Sequence, residues 1–176
     1  MGNDLIGAQS RKPRWRLAKA LAALHRSFRL IGKRRVKRVY DLIANSGLFD
    51  VDYYMSRNSD VADQQLDPLE HFIELGWRED RNPNPFFDSR WYLETYPDVA
   101  KAGINPLFHY LRFGGFTGRN PSSRFDSGWY LNQYSDVRAG GINPLVHFLG
   151  WGQFEGRLPK EPGSGTDSRK GELTPY

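Results

Sequence analysis

Residues 87–121 read FDSRWYLETYPDVAKAGINPLFHYLRFGGFTGRNP, and the same pattern stands 38 residues earlier and 38 residues later. Three segments align without a gap: 49–86, 87–124 and 125–162. They open on Phe49-Asp50, Phe87-Asp88 and Phe125-Asp126 and continue through Tyr54, Tyr92 and Tyr130. Asp60-Val61, Asp98-Val99 and Asp136-Val137 follow, then Pro-Leu-x-His ending at His71, His109 and His147. Gly76, Gly114 and Gly152 come next, then Arg81, Arg119 and Arg157, and finally Pro83, Pro121 and Pro159. Self-similarity at one fixed period marks a repeat architecture, in which each unit buries its apolar face only with its neighbours' help.

The residue types explain the pattern. Asp50, Asp88 and Asp126 precede rich aromatic runs and suit the N-cap of a helix, where a carboxylate accepts the first free amides. Asp67, Asn105 and Asn143 each precede a proline, the sequence of a capping residue and a first-turn proline. Gly103 and Gly141 are expected to end one short helix in the left-handed conformation, and Gly114 to end the next. Each unit therefore reads as short helix, turn, short helix and an irregular Gly-x-x-x-Gly-Arg-x-Pro arm. No run alternates with period two, so strands are not expected. The first copy departs most, with Asn58, Gln65 and Asp80 where the others have tyrosine, glycine and glycine.

Charge divides the chain. Residues 1–46 hold twelve Lys/Arg against Asp4 and Asp41, a net of +10; residues 47–176 hold thirteen against eighteen acids, a net of −5. Leu17, Leu21, Leu24, Phe28 and Ile31 step by 4, 3, 4 and 3, one stripe of a helix. Trp15, Arg16, Lys19, Arg26 and Arg29 flank it, and Lys33, Arg34, Arg35, Lys37 and Arg38 follow Gly32. This set is the candidate membrane- or anion-binding surface. A second helix, through Val36, Val39, Tyr40 and Ile43, should stop at Ser46-Gly47. The expected fold is all-α: a basic amphipathic helical segment at 14–47 and a three-repeat domain at 48–162, between disordered segments at 1–13 and 163–176.

Chemistry has few candidates. Zero cysteines exclude disulfides, thiolate metal sites and a cysteine nucleophile. The three repeat histidines invite a metal reading, but equivalent atoms in packed helices sit roughly 10 Å apart, too far to converge. His71, His109 and His147 are therefore expected to be structural. Arg81, Arg119 and Arg157 should pair with repeat aspartates and tie the arm to the helices. Asp50-Val51-Asp52 matches the Asp-x-Asp metal motif of many glycosyltransferases, yet position 52 becomes Arg90 and Gly128. Trp77, Trp91, Trp129 and Trp151 are candidates for stacking on sugar rings, against the alternative that rings form the core. No triad order, phosphate loop or dinucleotide motif is present. No catalytic residue, metal or cofactor is assigned, and no small-molecule substrate is implied.

The elements Phe-Asp-x-x-Trp-Tyr-Leu-x-x-Tyr-Pro-Asp-Val-Ala (87–100), Gly-Ile-Asn-Pro-Leu-Phe-His-Tyr-Leu (103–111) and Gly-x-x-x-Gly-Arg-x-Pro resemble a bacterial repeat. That repeat lies beside glycosyltransferase domains in surface-polysaccharide (rhamnan-type and capsule) synthesis proteins, and in some secreted repeat proteins. The resemblance covers residues 46–160 and carries no catalytic residue over. It implies a non-catalytic accessory module of envelope-glycan assembly whose partner is a glycosyltransferase or polysaccharide-assembly protein. The basic helix would hold the module at an anionic membrane surface. No apolar run approaches the ~20 residues of a membrane span, and no secretory leader is recognisable, so the expected location is cytoplasmic, peripheral at the inner face of the membrane. Two other readings remain: a fragment or subunit of a glycosyltransferase, and a nucleic-acid binder acting through Lys33–Arg38. The acidic repeat region opposes the second.

Overall fold

The computed structural model describes residues 33–164, and all its regular structure is helical; among the described residues there is no β-strand. Residues 1–32, with the stripe from Leu17 to Ile31, and the tail from 165 lie outside the described residues. Helix α1 (Lys33–Ser46) stops at Gly47, which takes φ +71°. The chain divides into two compact units between Arg38 and Val39. The division falls inside α1, so residues 39–46 belong with the repeats and the boundary lies earlier than the expected 47/48.

Each repeat holds three short α-helices. In the first these are α2 (Val51–Arg57), α3 (Ser59–Asp63) and α4 (Pro68–Glu74). The second has α5 (Ser89–Thr95), α6 (Pro97–Ala102) and α7 (Pro106–His109). The third has α8 (Ser127–Gln133), α9 (Ser135–Ala139) and α10 (Pro144–His147). The expected N-caps form: Asp50, Asp88 and Asp126 accept the amides of Tyr53, Trp91 and Trp129, each at 2.9 Å. Asp67, Asn105 and Asn143 cap the proline-led helices in the same way.

Two features differ from the sequence reading. The first helix of each unit breaks in two, at Asn58, Tyr96 and Tyr134, all with extended φ and ψ between 65° and 83°. A proline follows only Tyr96, so its restriction of the preceding residue does not explain the other two. Tertiary bonds do. The Tyr96 and Tyr134 hydroxyls accept the arm amides of Asn120 and Leu158, and Asn58 Oδ1 accepts from the Arg81 guanidinium.

The second difference concerns Gly114, which is right-handed at φ −58°. It sits in a wide turn, Tyr110–Gly114, matched by Phe148–Gly152 in the third repeat. A Cβ at Gly76, Gly114 or Gly152 would overlap the hydroxyl of Tyr54, Tyr92 or Tyr130. These glycines therefore admit a close approach. The left-handed cap falls four residues later, at Asp80, Gly118 and Gly156, where the amides of Arg81, Arg119 and Arg157 reach back to the first glycine's carbonyl.

One continuous core runs through the repeats. Tyr54, Tyr92, Tyr130, Val61, Val99, Val137, Leu107 and Leu145 are buried or nearly so, joined by Phe87 and Phe125. Each such side chain taken from water stabilises the fold by about 1.5–3 kcal/mol. The ends of each repeat meet: Asp50, Asp88 and Asp126 donate their amides to the carbonyls of Pro83, Pro121 and Pro159. Consecutive repeats are joined by asparagine and serine. Asn82 accepts the Ser89 amide at 2.8 Å, and Asn120 accepts that of Ser127 at 2.8 Å. The Tyr110 hydroxyl bonds Ser127 Oγ at 2.9 Å, and Asn143 Nδ2 donates to the Tyr110 carbonyl.

Helix α1 joins this scheme in register. Ser46 Oγ accepts the Leu48 amide, as Asn84 Oδ1 accepts that of Phe86 and Ser122 Oγ that of Arg124. All three acceptors lie 38 residues apart. Residues 39–48 thus act as the closing arm of an incomplete preceding repeat. At the other end, Ser164 turns back to bond the Glu161 carbonyl, so ordered chain continues past the tail boundary expected at 163.

Candidate functional site

The repeating polar residues hold one another. His71, His109 and His147 place Nδ1 2.9, 2.9 and 3.0 Å from the hydroxyls of Tyr54, Tyr92 and Tyr130. The partner is a tyrosine of the same repeat, so each histidine serves a structural bond. Burial, then the nearby arginine, lowers each histidine's pKa, which keeps the ring neutral. Burial also raises the pKa of the three tyrosines.

Arg81, Arg119 and Arg157 pair with Asp60, Asp98 and Asp136 at 2.8, 3.0 and 2.8 Å. Bonding to the guanidinium holds each carboxyl below its usual range. Arg119 and Arg157 also lie over the rings of Tyr96 and Tyr134, 4.8 and 4.9 Å from the centroids. The arginine thus fastens the arm to the break between the two short helices. Asp50, Asp88 and Asp126 spend a carboxylate oxygen on their helix caps. Among the described residues no cluster of three His, Asp or Glu side chains is placed to hold a metal.

The four candidate tryptophans part company. Trp77 is buried, donates its ring N–H to the Ile73 carbonyl and carries Arg78 over its face at 4.0 Å. Trp91 and Trp129 are half-buried and stand edge-on to Tyr96 and Tyr134. Only Trp151 of the four presents its ring, at 56% exposure. Its counterpart 38 residues earlier, Phe113, is 54% exposed. Each lies against its own repeat's histidine, with centroids 5.8 Å apart for His109–Phe113 and 6.0 Å for His147–Trp151. Among the described residues, Phe116 and Phe154 are the other exposed phenylalanine or tryptophan rings. Sequence reading missed these phenylalanines because it ranked rings by type; the signal available was their pairing at the repeat period.

In the basic set, Lys37 and Arg38 are exposed on α1. Lys33, Arg34 and Arg35 belong to the same helix, while Trp15, Arg16, Lys19, Arg26 and Arg29 lie outside the described residues. No helix among the described residues is long and apolar enough to cross a membrane. No family model, curated protein or solved structure matches the chain.

Proposed function

We propose that this chain is a non-catalytic interaction module of bacterial envelope-glycan assembly, with Phe113 and Trp151 at the centre of its docking surface. One observation carries the reading. The repeated histidines, arginines and aspartates are engaged within their repeats, whereas Phe113 and Trp151 stand half-exposed at equivalent positions. Exposed rings held by a rigid scaffold are the composition of interface anchors, and truncating such an anchor costs about 2 kcal/mol or more of binding. The sequence resemblance supplies the partner class, a glycosyltransferase or polysaccharide-assembly protein. The basic N-terminal segment adds peripheral attachment to anionic lipid, at about 1 kcal/mol for each basic residue near the surface.

The test is affinity capture by the intact chain and by its Phe113→Ser/Trp151→Ser variant. A glycan-assembly protein retained by the first and lost by the second is expected. Equal capture by both would reject the surface, and capture of none would reject the role. Sedimentation with anionic vesicles checks the membrane part: binding should weaken with salt and be absent for neutral vesicles.

A further inference from the structure

We propose that the outer face of the third repeat, built by Gln153, Phe154 and Leu158 around Gly156, docks against the same face of a second copy of this chain. The proposal does not rest on the Phe113/Trp151 reading, and its test stands apart from it.

The face is identified by the junction inside the chain. In the second repeat the corresponding positions are Gly115, Phe116, Gly118 and Asn120, and the third repeat sits on them. Asn143 approaches Gly115 so closely that a Cβ there would overlap its amide. Gly118 lies against Gly128, and Asn120 holds the Ser127 amide. Thirty-eight residues later nothing in the described chain covers these positions. Exposure rises from 46% at Phe116 to 80% at Phe154, and Leu158 stands 46% exposed. The residue types shift as well. Asn82 and Asn120, which hold the serine amide of the following repeat, become Leu158. The polar handle that receives another repeat is gone, and a leucine replaces it.

The opposite end does not match it. There, Tyr40 stands in the same register as Phe116 and Phe154, two and three periods earlier. Its hydroxyl faces Asp67, the counterpart of Asn143, and that carboxylate raises the tyrosine's pKa. Val39, Tyr40, Leu42 and Ile43 of α1 pack on the core. The first repeat's outer face is therefore already occupied by α1, which a tail laid on a head would have to displace. A tail can meet a tail, and such a two-fold contact closes at a dimer. Charge allows it. Residues 125–162 hold Arg138, Arg157 and Lys160 against Asp126, Asp136, Glu155 and Glu161, a net of −1. By contrast residues 49–86 hold three basic and nine acidic side chains, a net of −6. The third repeat is thus much the less repelled by its own copy.

The experiment uses the absence of cysteine. Analytical ultracentrifugation of the intact chain should show a monomer–dimer equilibrium at micromolar concentration. Phe154→Asp and Leu158→Asp should each shift it to monomer by at least tenfold in Kd with the helical circular dichroism unchanged. Phe113→Asp should leave it dimeric. A single Gln153→Cys should oxidise to a disulfide-linked dimer, and Asp63→Cys, in the first repeat, should not. A monomer at every concentration would overturn the proposal, as would a dimer indifferent to Phe154→Asp and Leu158→Asp. A disulfide joining residue 52 of one copy of Asp52→Cys/Gln153→Cys to residue 153 of another would overturn it too, by showing head-to-tail contact.

Discussion

The Tyr92 hydroxyl and His109 Nδ1 lie 2.9 Å apart, and the backbone of Gly114 passes so close that no side chain fits there. The same trio recurs as Tyr54, His71 and Gly76 and as Tyr130, His147 and Gly152. Tyrosine rises from the first helix, histidine from the third, and glycine opens the path between them. The bond ties together two elements of one repeat that are 17 residues apart.

Tyr92→Phe keeps the ring and removes the hydroxyl. His109 Nδ1 then loses its partner in a half-buried setting, at a cost of about 1–3 kcal/mol. Urea unfolding should show a lower midpoint with an unchanged slope. Gly114→Ala should lose a comparable amount through overpacking, typically about 1–3 kcal/mol. In the double variant Tyr92→Phe/Gly114→Ala the losses should be less than additive, because removing the hydroxyl makes room for the methyl. Strict additivity would refute the shared geometry.

Asn105 and Asn143 are equivalent caps with unequal bonding. Asn143 Nδ2 donates to the Tyr110 carbonyl across the junction, whereas Asn105 Nδ2 is the sole buried side-chain polar atom without a partner among the described residues. The junctions differ: Phe72 and Trp77 stand where the next repeat has Tyr110 and Gly115. Serine caps a helix about as well as asparagine. Asn105→Ser should therefore be neutral or stabilising, and Asn143→Ser should cost about 0.5–1.5 kcal/mol more. Thermal unfolding of the two variants checks the order.

Gln65 and Asp80 adopt φ of +52° and +60°, where the other repeats have Gly103, Gly141, Gly118 and Gly156 at positive φ. A left-handed residue with a Cβ costs roughly 1–2 kcal/mol, offset in part by the extra freedom glycine brings to the unfolded chain. Gln65→Gly should stabilise by about 0.5–1 kcal/mol, and Asp80→Gly by less, since aspartate tolerates this region better. A lower melting temperature for Gln65→Gly would contradict the strain.

Stability should fall at both ends of the pH scale. The repeat histidines have pKa values lowered from 6.5 by burial. The unfolded chain therefore takes up protons that the folded chain resists, and stability declines as pH falls through 6.5. Asp60, Asp98 and Asp136 sit below 3.8 through their arginines, so a second loss follows below that value. The buried tyrosines are raised above 10.0, which predicts a decline at alkaline pH once the unfolded tyrosines ionise. Urea midpoints from pH 3 to pH 11 should trace a plateau between these limits. A midpoint constant from pH 7 to pH 5 would remove the histidine contribution.

The period of 38, the helical class, the caps at Asp50, Asp88 and Asp126 and at Asp67, Asn105 and Asn143, and the pairing of arm arginines with repeat aspartates are legible in the residues alone. These follow from local rules or from recurrence: a cap acts within one turn, and a residue type kept in three copies at one step has one job. Tertiary structure decided the rest, because it concerns what lies across space from each residue. Tyr96 and Tyr134 break the first helix because their hydroxyls meet an arm 24 residues away. Gly114 is a glycine for the sake of Tyr92, with a backbone that any residue could adopt. Trp77 is buried and Trp151 exposed although both are tryptophan, since one lies at a junction between repeats and the other on an open flank. No periodicity distinguishes such positions; the neighbour that covers a ring is chosen only when the repeats meet.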